Sequence, residues 1–319
     1  MSNQFLFHGL LTVRDEADIL NQYLDHTLSW CDNIYVYDTG STDGTWEILQ
    51  EYAAAHPNIK LFRKESVCWH EGLRAVLFNE YRHLAKEGDW FARLDADEFY
   101  ECTPRQFIAD HVRWYESAIY LQWYEFRLTQ AEAATLDTSQ ATLSEREIPI
   151  HLRRRHYLRV DYTEPRFFKY RKSMAWTPYA SSPFNAGNIA RARIPIRHYP
   201  HRDPIQLATR SRLRSLMRRF VSPSDCTHWA IEDWRSLIVD QNDPKLLFAD
   251  SSTPLGPNLD GQYRGHRRNI LMRSALYMFL VRLLDYTRPD FPSNYAAQPI
   301  PADVRALLEE RRENLGKTN

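Results

Sequence analysis

Apolar and polar positions in the first hundred residues switch between short apolar runs and stretches at helical spacing. Phe5 to Val13 is an apolar run of strand length. Glu16 to Trp30 carries Ile19, Tyr23, Leu24 and Leu28 at helical spacing. Asn33 to Tyr37 predicts a second strand, Trp46 to Ala55 a helix stopped at Pro57, and Ile59 to Phe62 a third strand. Glu71 to Leu84 predicts a helix and Trp90 to Leu94 a fourth strand. Such alternation predicts an α/β fold, a mostly parallel central sheet with helices on both faces. Sheets of this kind bind ligands beyond the carboxyl ends of their strands.

The pattern changes after about residue 115. Ile119 to Phe126, Arg166 to Tyr170 and Ile194 to Tyr199 predict further strands. Gln130 to Glu147 is polar and predicts an excursion loop. Beyond Pro204 the spacing predicts helices over Ile205 to Phe220, Trp229 to Val239, Arg268 to Leu284 and Ala302 to Glu313. The Pro-, Asp-, Ser- and Gly-rich segment Asp240 to Arg264 predicts an ordered loop or lid. The chain thus divides into residues 1–204, with halves 1–115 and 116–204, and a mainly helical part, 205–319.

A chain of 319 residues, 43% hydrophobic and 26% charged, has enough apolar mass for a large core, which excludes a disordered or collagen-like chain. Formal net charge is zero, against a simple polyanion binder. The balance hides an asymmetry. Residues 1–150 hold 12 basic and 25 acidic side chains, leaving 29 of the 41 basic and 16 of the 41 acidic ones to the rest. We read this as two functional parts, the acidic one suited to metal ions and the basic one to phosphates, anionic lipids or nucleic acid. Cys31, Cys68, Cys102 and Cys226 form no C-x-x-C pair, which leaves zinc and thioredoxin-like readings without support. The N-terminus does not read as a signal peptide, and the longest apolar run, Ser274 to Leu284, is too short to span a membrane. A cytoplasmic location is expected.

Three polar motifs end predicted strands. Asp95-Ala96-Asp97-Glu98 groups carboxylates that repel one another unless a cation is present. A hard divalent ion takes one or two such carboxylates together with phosphate oxygens and waters. Asp38-Thr39-Gly40-Ser41-Thr42-Asp43-Gly44-Thr45 offers a strand-tip carboxylate, flexible glycines and a helix cap. Val13-Arg14-Asp15-Glu16 places acids where a helix begins. There is no P-loop and no G-x-G-x-x-G fingerprint.

The order V-R-D-E, Y-D-T-G-S-T-D-G-T-W, L-D-A-D-E-F resembles the family 2-like glycosyltransferases of GT-A fold, in the subgroup whose motif reads D-x-D-E. The resemblance covers about the first 100 residues and weakens through about residue 210. It implies a GT-A-like catalytic domain over 1–204, with a donor half 1–115 and an acceptor-side half 116–204. It also implies a nucleotide diphosphate sugar donor, Mn²⁺ or Mg²⁺, inverting transfer, and a glycan or glycolipid acceptor as in polysaccharide biosynthesis. Asp38 then looks like the acid that reads the base, with Arg14 and Glu16 around the nucleoside. Asp95 would face the ribose or a metal-bound water, and Asp97 would ligate the metal. His198, preferred over His201, resembles a late metal ligand, and Arg74 a diphosphate contact. Glu164, then Asp161, are the carboxylates placed to act as general base.

Two other readings use the same residues. A nucleotidyltransferase also places carboxylates at strand ends, but the basic glycine-rich loop it needs after the first strand is absent. A non-enzymatic binder would use Arg153-Arg154-Arg155 and the arginines of 210–219 on nucleic acid or an anionic surface. We expect no nucleic-acid partner. The basic amphipathic stretch Ile205 to Phe220 allows peripheral membrane contact.

Overall fold

The computed structural model describes residues 5–183, 186–218, 220, 231, 233–250, 255–256 and 295–306. Apolar runs bounded by turn formers give the first strands: β1 (Phe7–Val13), β2 (Asn33–Asp38), β3 (Ile59–Lys64) and β4 (Trp90–Leu94). They lie parallel in the order β3-β2-β1-β4. Every residue of β1 and β4 is buried, as expected for strands covered on both faces. The crossovers are helical: α1 (Leu20–Leu28), α2 (Thr45–Ala55), which stops before Pro57, and α3 (Leu73–Tyr81), followed by a 3₁₀ turn at Arg82–Leu84.

The sheet is mixed rather than mostly parallel. A parallel neighbour needs a long crossover. After β4 the chain instead makes a short strand, β5 (Glu98–Tyr100), the helix α4 (Pro104–His111) and a long strand, β6 (Glu116–Phe126). The remaining strands are β7 (His156–Val160), β8 (Pro165–Lys169), β9 (Asn188–His198) and β10 (Leu247–Phe248). β8 inserts antiparallel between β4 and β6, β7 pairs antiparallel with β6, and β9 runs parallel to β6 and carries β5 on its far edge.

The segment expected as an excursion loop holds two helices, α5 (Gln130–Ala134) and α6 (Ser139–Arg146). Thr129 and Glu132 form a capping box on α5, and Thr138 caps α6, so polar composition concealed start signals. A short α7 (Ile150–Arg153) follows, and α8 (Pro204–Met217) realises the expected basic helix, capped by Asp203. Of the predicted 229–239 helix, the described part is a 3₁₀ turn at Trp234–Leu237. Residues 302–306 are helical, and the 268–284 helix, the 274–284 apolar run and Cys226 lie outside the described residues. Among the described residues, no helix is long and apolar enough to cross a membrane.

Candidate active site

The ends of β1 and β2 are laced together. Asp15, at φ 52°, accepts the Thr42 N–H on Oδ1 at 2.7 Å, and its own N–H donates to Ser41 Oγ at 3.0 Å. Glu16 N donates to Thr45 Oγ1 and Ala17 N to Asp43 Oδ2. Arg14 Nη1 donates to the Thr39 carbonyl at 2.7 Å. Gly40 has φ +104°, and a Cβ there would come within 2.8 Å of the Ser66 backbone, so the turn needs glycine. Asp38 is fully buried at the tip of β2. Its Oδ1 accepts the Gly40 and Ser41 N–H groups, while its Oδ2 is buried with no hydrogen-bond partner. Burial raises the Asp38 pKa above the usual carboxylate range, against the pull of those two N–H groups.

Beyond β4 the carboxylates separate into two clusters. Asp95 accepts from Arg74 on Oδ1 and lies 3.0 Å from Arg166 on Oδ2. Arg74 also donates to Glu71 at 2.6 Å, Arg93 pairs with Glu71 and, at 3.4 Å, with Glu164, and Arg166 joins Glu164 at 2.8 Å and Glu98. Asp97 faces the other way. Its Oδ2 accepts from Arg210 of α8 at 2.9 Å and lies 3.6 Å from His198 Nε2, at the end of β9. The Asp97 carbonyl accepts the Tyr199 N–H at 2.8 Å, which fixes the two strand ends together.

The ionisation of these groups follows from burial and neighbours. Burial opposes charge on Asp97, but Arg210 and His198 outweigh it and hold the carboxyl well below its usual range. Burial likewise opposes charge on His198, and Asp97 raises its pKa nonetheless. Glu98 is pushed up to about 7, by burial first, against Arg166. Glu16 is also raised to about 7, by burial against Arg202. At Glu164 burial is overcome by Arg166, Arg93 and Arg74, and its pKa falls to about 2.

Asp38, Asp95, Asp97, Arg14 and Glu16 thus stand at the carboxyl ends of β1, β2 and β4, and β9 brings His198 to Asp97. Arg74 is fully buried and committed to Glu71, Asp95 and the Leu94 carbonyl, so it holds Asp95 rather than presenting itself to a ligand. Asp161 is exposed in the turn between β7 and β8. His201 is buried and receives Arg127 Nη1 on Nδ1 at 2.8 Å; burial and the surrounding arginines keep it neutral.

Arg202 and Trp123 have no signal in the sequence, and Arg210 stands out there only as one of the arginines of 210–219. Arg202 is fully buried, donating to Asp18 at 2.7 Å and to Glu16. The run 153–155, weighed as a nucleic-acid contact, is in large part internal: Arg154 donates to Glu145 at 2.8 Å, and Arg153 lies 3.8 Å from Asp18. Alternation of opposite charges at long separation was the one available clue. Among the described residues no three His, Cys, Asp or Glu converge to hold a metal ion.

Residues 10–117 match the family model described as glycosyl transferase family 2. No curated protein is similar to the chain in sequence. Among solved structures, the chain is similar to a mannosyltransferase, PcManGT from Pyrobaculum calidifontis in complex with GDP-Man and Mn²⁺. That likeness has 17% identity and a TM-score of 0.29, and covers 44% of this chain and 39% of that one. The matched span runs from within β1 through β4 and holds all three strand-end motifs, so over residues 10–117 this α/β part of the chain is similar to a family 2 glycosyltransferase domain.

Proposed function

We propose that the chain transfers a sugar, with inversion, from a nucleotide diphosphate sugar to a hydroxyl of a glycan or related acceptor, using a divalent ion. The observation that supports this best is the gathering of Asp38, Asp95, Asp97 and His198 at one end of the sheet, inside the family 2 span and beside it. The Asp38 Oδ2, buried and without a partner, suits a hydrogen bond from a base N–H or a ribose hydroxyl. Arg14 and Glu16, at the β1 end and tied to the β2 turn, would flank the nucleoside.

Asp97 and His198, 3.6 Å apart, would hold a divalent ion with phosphate oxygens and waters completing its shell, the ion displacing the Arg210 pairing of Asp97 Oδ2 and taking the imidazole in its neutral form. Bound there, Mn²⁺ or Mg²⁺ would neutralise the leaving diphosphate. Arg210 donates to that same Asp97 oxygen, and Asp95, gripped by Arg74 and Arg166, would face the ribose or a metal-bound water. The acceptor proton goes to a carboxylate of the turn after β7, Glu164 or Asp161. Glu164 is the first choice by position, and the pairing with Arg166 and Arg93 that lowers it to about 2 makes it a weak base as it stands.

Thermal shift with UDP, GDP and CDP, each with Mn²⁺, Mg²⁺ or chelator, tests the donor site. At ~100 times the dissociation constant a ligand adds roughly 2.7 kcal/mol of stability. A metal-dependent rise with one nucleotide, lost in Asp97→Asn, is the expected result. Full metal-dependent binding by Asp97→Asn would contradict the metal assignment.

A further inference from the structure

Three aromatic rings form a ladder beside the carboxylates. The Trp123 indole stacks on the His198 imidazole, with centroids 5.1 Å apart and planes at 23°. The Tyr162 phenol also packs against the indole, tilted, at 5.1 Å and 30°. The indole Nε1 donates to Glu98 Oε1 at 2.9 Å, which ties the ladder to the D-x-D-E motif itself. Glu98 is 3% exposed, and its Oε2 has no hydrogen-bond partner.

The outer ring is 58% exposed, and its turn is nonetheless held in place. The Thr163 hydroxyl donates to the Leu121 carbonyl at 2.6 Å, and the Leu121 N–H donates to the Glu164 carbonyl at 3.1 Å. Exposed aromatics scattered over a surface need no explanation. One whose ring packs on the Trp123 indole, which itself stacks on His198, in a turn anchored to β6 and shared with Glu164, is a built surface. The strand order places it: Asp38 ends β2, the D-x-D-E motif follows β4, and Trp123 lies on β6, on the opposite side of β4 from Asp38.

We propose that the Tyr162–Trp123 pair is the platform for the acceptor, and that the acceptor presents a sugar ring. This rests on the glycosyl-transfer reading above. A pyranose has an apolar C–H face for an aromatic ring and a rim of hydroxyls for carboxylates. Here the ring face is Tyr162, with the carboxylates Glu164 and Glu98 close by. Acceptors without a ring would gain only the hydroxyl contacts.

Saturation-transfer NMR on the full chain, without donor or metal, tests this with methyl glycosides of glucose, mannose, galactose and N-acetylglucosamine, and with glycerol as the ringless control. The expected result is saturation of ring C–H protons for at least one glycoside and none for glycerol. Tyr162→Ala should weaken that glycoside by roughly two- to tenfold, and Tyr162→Phe should retain it. The proposal is overturned if no glycoside is saturated, if Tyr162→Ala binds as well as wild type, or if Tyr162→Phe loses as much as Tyr162→Ala. Thermal shift by nucleotide diphosphate with Mn²⁺ on the same samples separates the two failures. A nucleotide shift without glycoside binding removes the platform alone, and glycoside binding without a nucleotide shift removes the donor reading alone.

Discussion

The two sides of the sheet share one apolar core and differ in how far along the chain their buried charges find partners. On the β1–β4 side the strands pack through apolar side chains: Phe7, Leu11, Ile34, Val36, Leu49 and Leu94 share one buried cluster. The far side joins the same cluster through Ile119, Phe167 and Ile194, and to the buried Arg74 and Arg93 of the first half it adds Arg154, Arg166 and Arg202, each at most 1% exposed. Their partners include acids of the first half, Arg202 with Glu16 and Asp18, and Arg166 with Asp95 and Glu98. The charge asymmetry along the chain is therefore in good part internal, a complement between halves rather than two separate binding surfaces. Buried ion pairs add little net stability, because desolvation offsets attraction, but removing one partner strands the other. They make the strand-end carboxylates depend on the second half.

The largest effect tests that dependence. Arg202→Met should cost about 3–5 kcal/mol in urea unfolding, because Glu16 and Asp18 lose their buried counter-ion. Leu11→Ala, on the apolar side, should cost a similar 2–5 kcal/mol through a cavity, but with no dependence on the charge of any partner.

A smaller effect appears with pH. His26 accepts the Tyr100 N–H on Nε2 at 3.0 Å, and burial lowers its pKa from 6.5 to about 4. The unfolded chain therefore binds a proton that the folded chain refuses between those values. The stability this confers is whole above pH 6.5 and is lost as pH falls to 4, roughly 3 kcal/mol in all. His26→Gln keeps an acceptor for Tyr100 and should flatten that part of the pH–stability curve. A curve that keeps its slope would remove His26 from the explanation.

The smallest effect belongs to the surface. Arg63 and Glu65 pair at 3.4 Å with side chains 53% and 40% exposed. Arg63→Ala should change the unfolding free energy by no more than about 1 kcal/mol, in clear contrast to Arg202.

The apolar half was legible because hydrophobic period reports directly on burial. β4 falls on the expected residues, and β1, β2, β3, α1, α2 and α3 differ only at their ends. The polar motifs were legible because strand ends of an α/β sheet are where polar turns collect. The second half was legible in part: the expected runs at 119–126, 166–170, 194–199 and 205–220 fall on β6, β8, β9 and α8, while β5 and β7 were missed. β7 reads HYLRV, with a charge inside a short strand, and β5 lies within the acidic motif itself, so neither has a clear apolar pattern. The counter-ions were hidden by distance. Arg202 meets Glu16 across 186 positions and Arg210 meets Asp97 across 113, and a lone arginine carries no period that points to its partner. The pairing of Arg74 was hidden too: its helix was visible, but not that Glu71 and Asp95 would both take its guanidinium.

The most direct test of the lock between the halves is a double-mutant cycle of Asp18→Asn and Arg202→Met, measured by urea unfolding. Arg202 Nε donates to Asp18 Oδ2 at 2.7 Å, with both side chains at most 5% exposed. The account predicts a coupling of about 1–3 kcal/mol, so that the double mutant is more stable than the summed single losses allow. Additive losses, within about 0.5 kcal/mol, would contradict it and return the basic half to the surface.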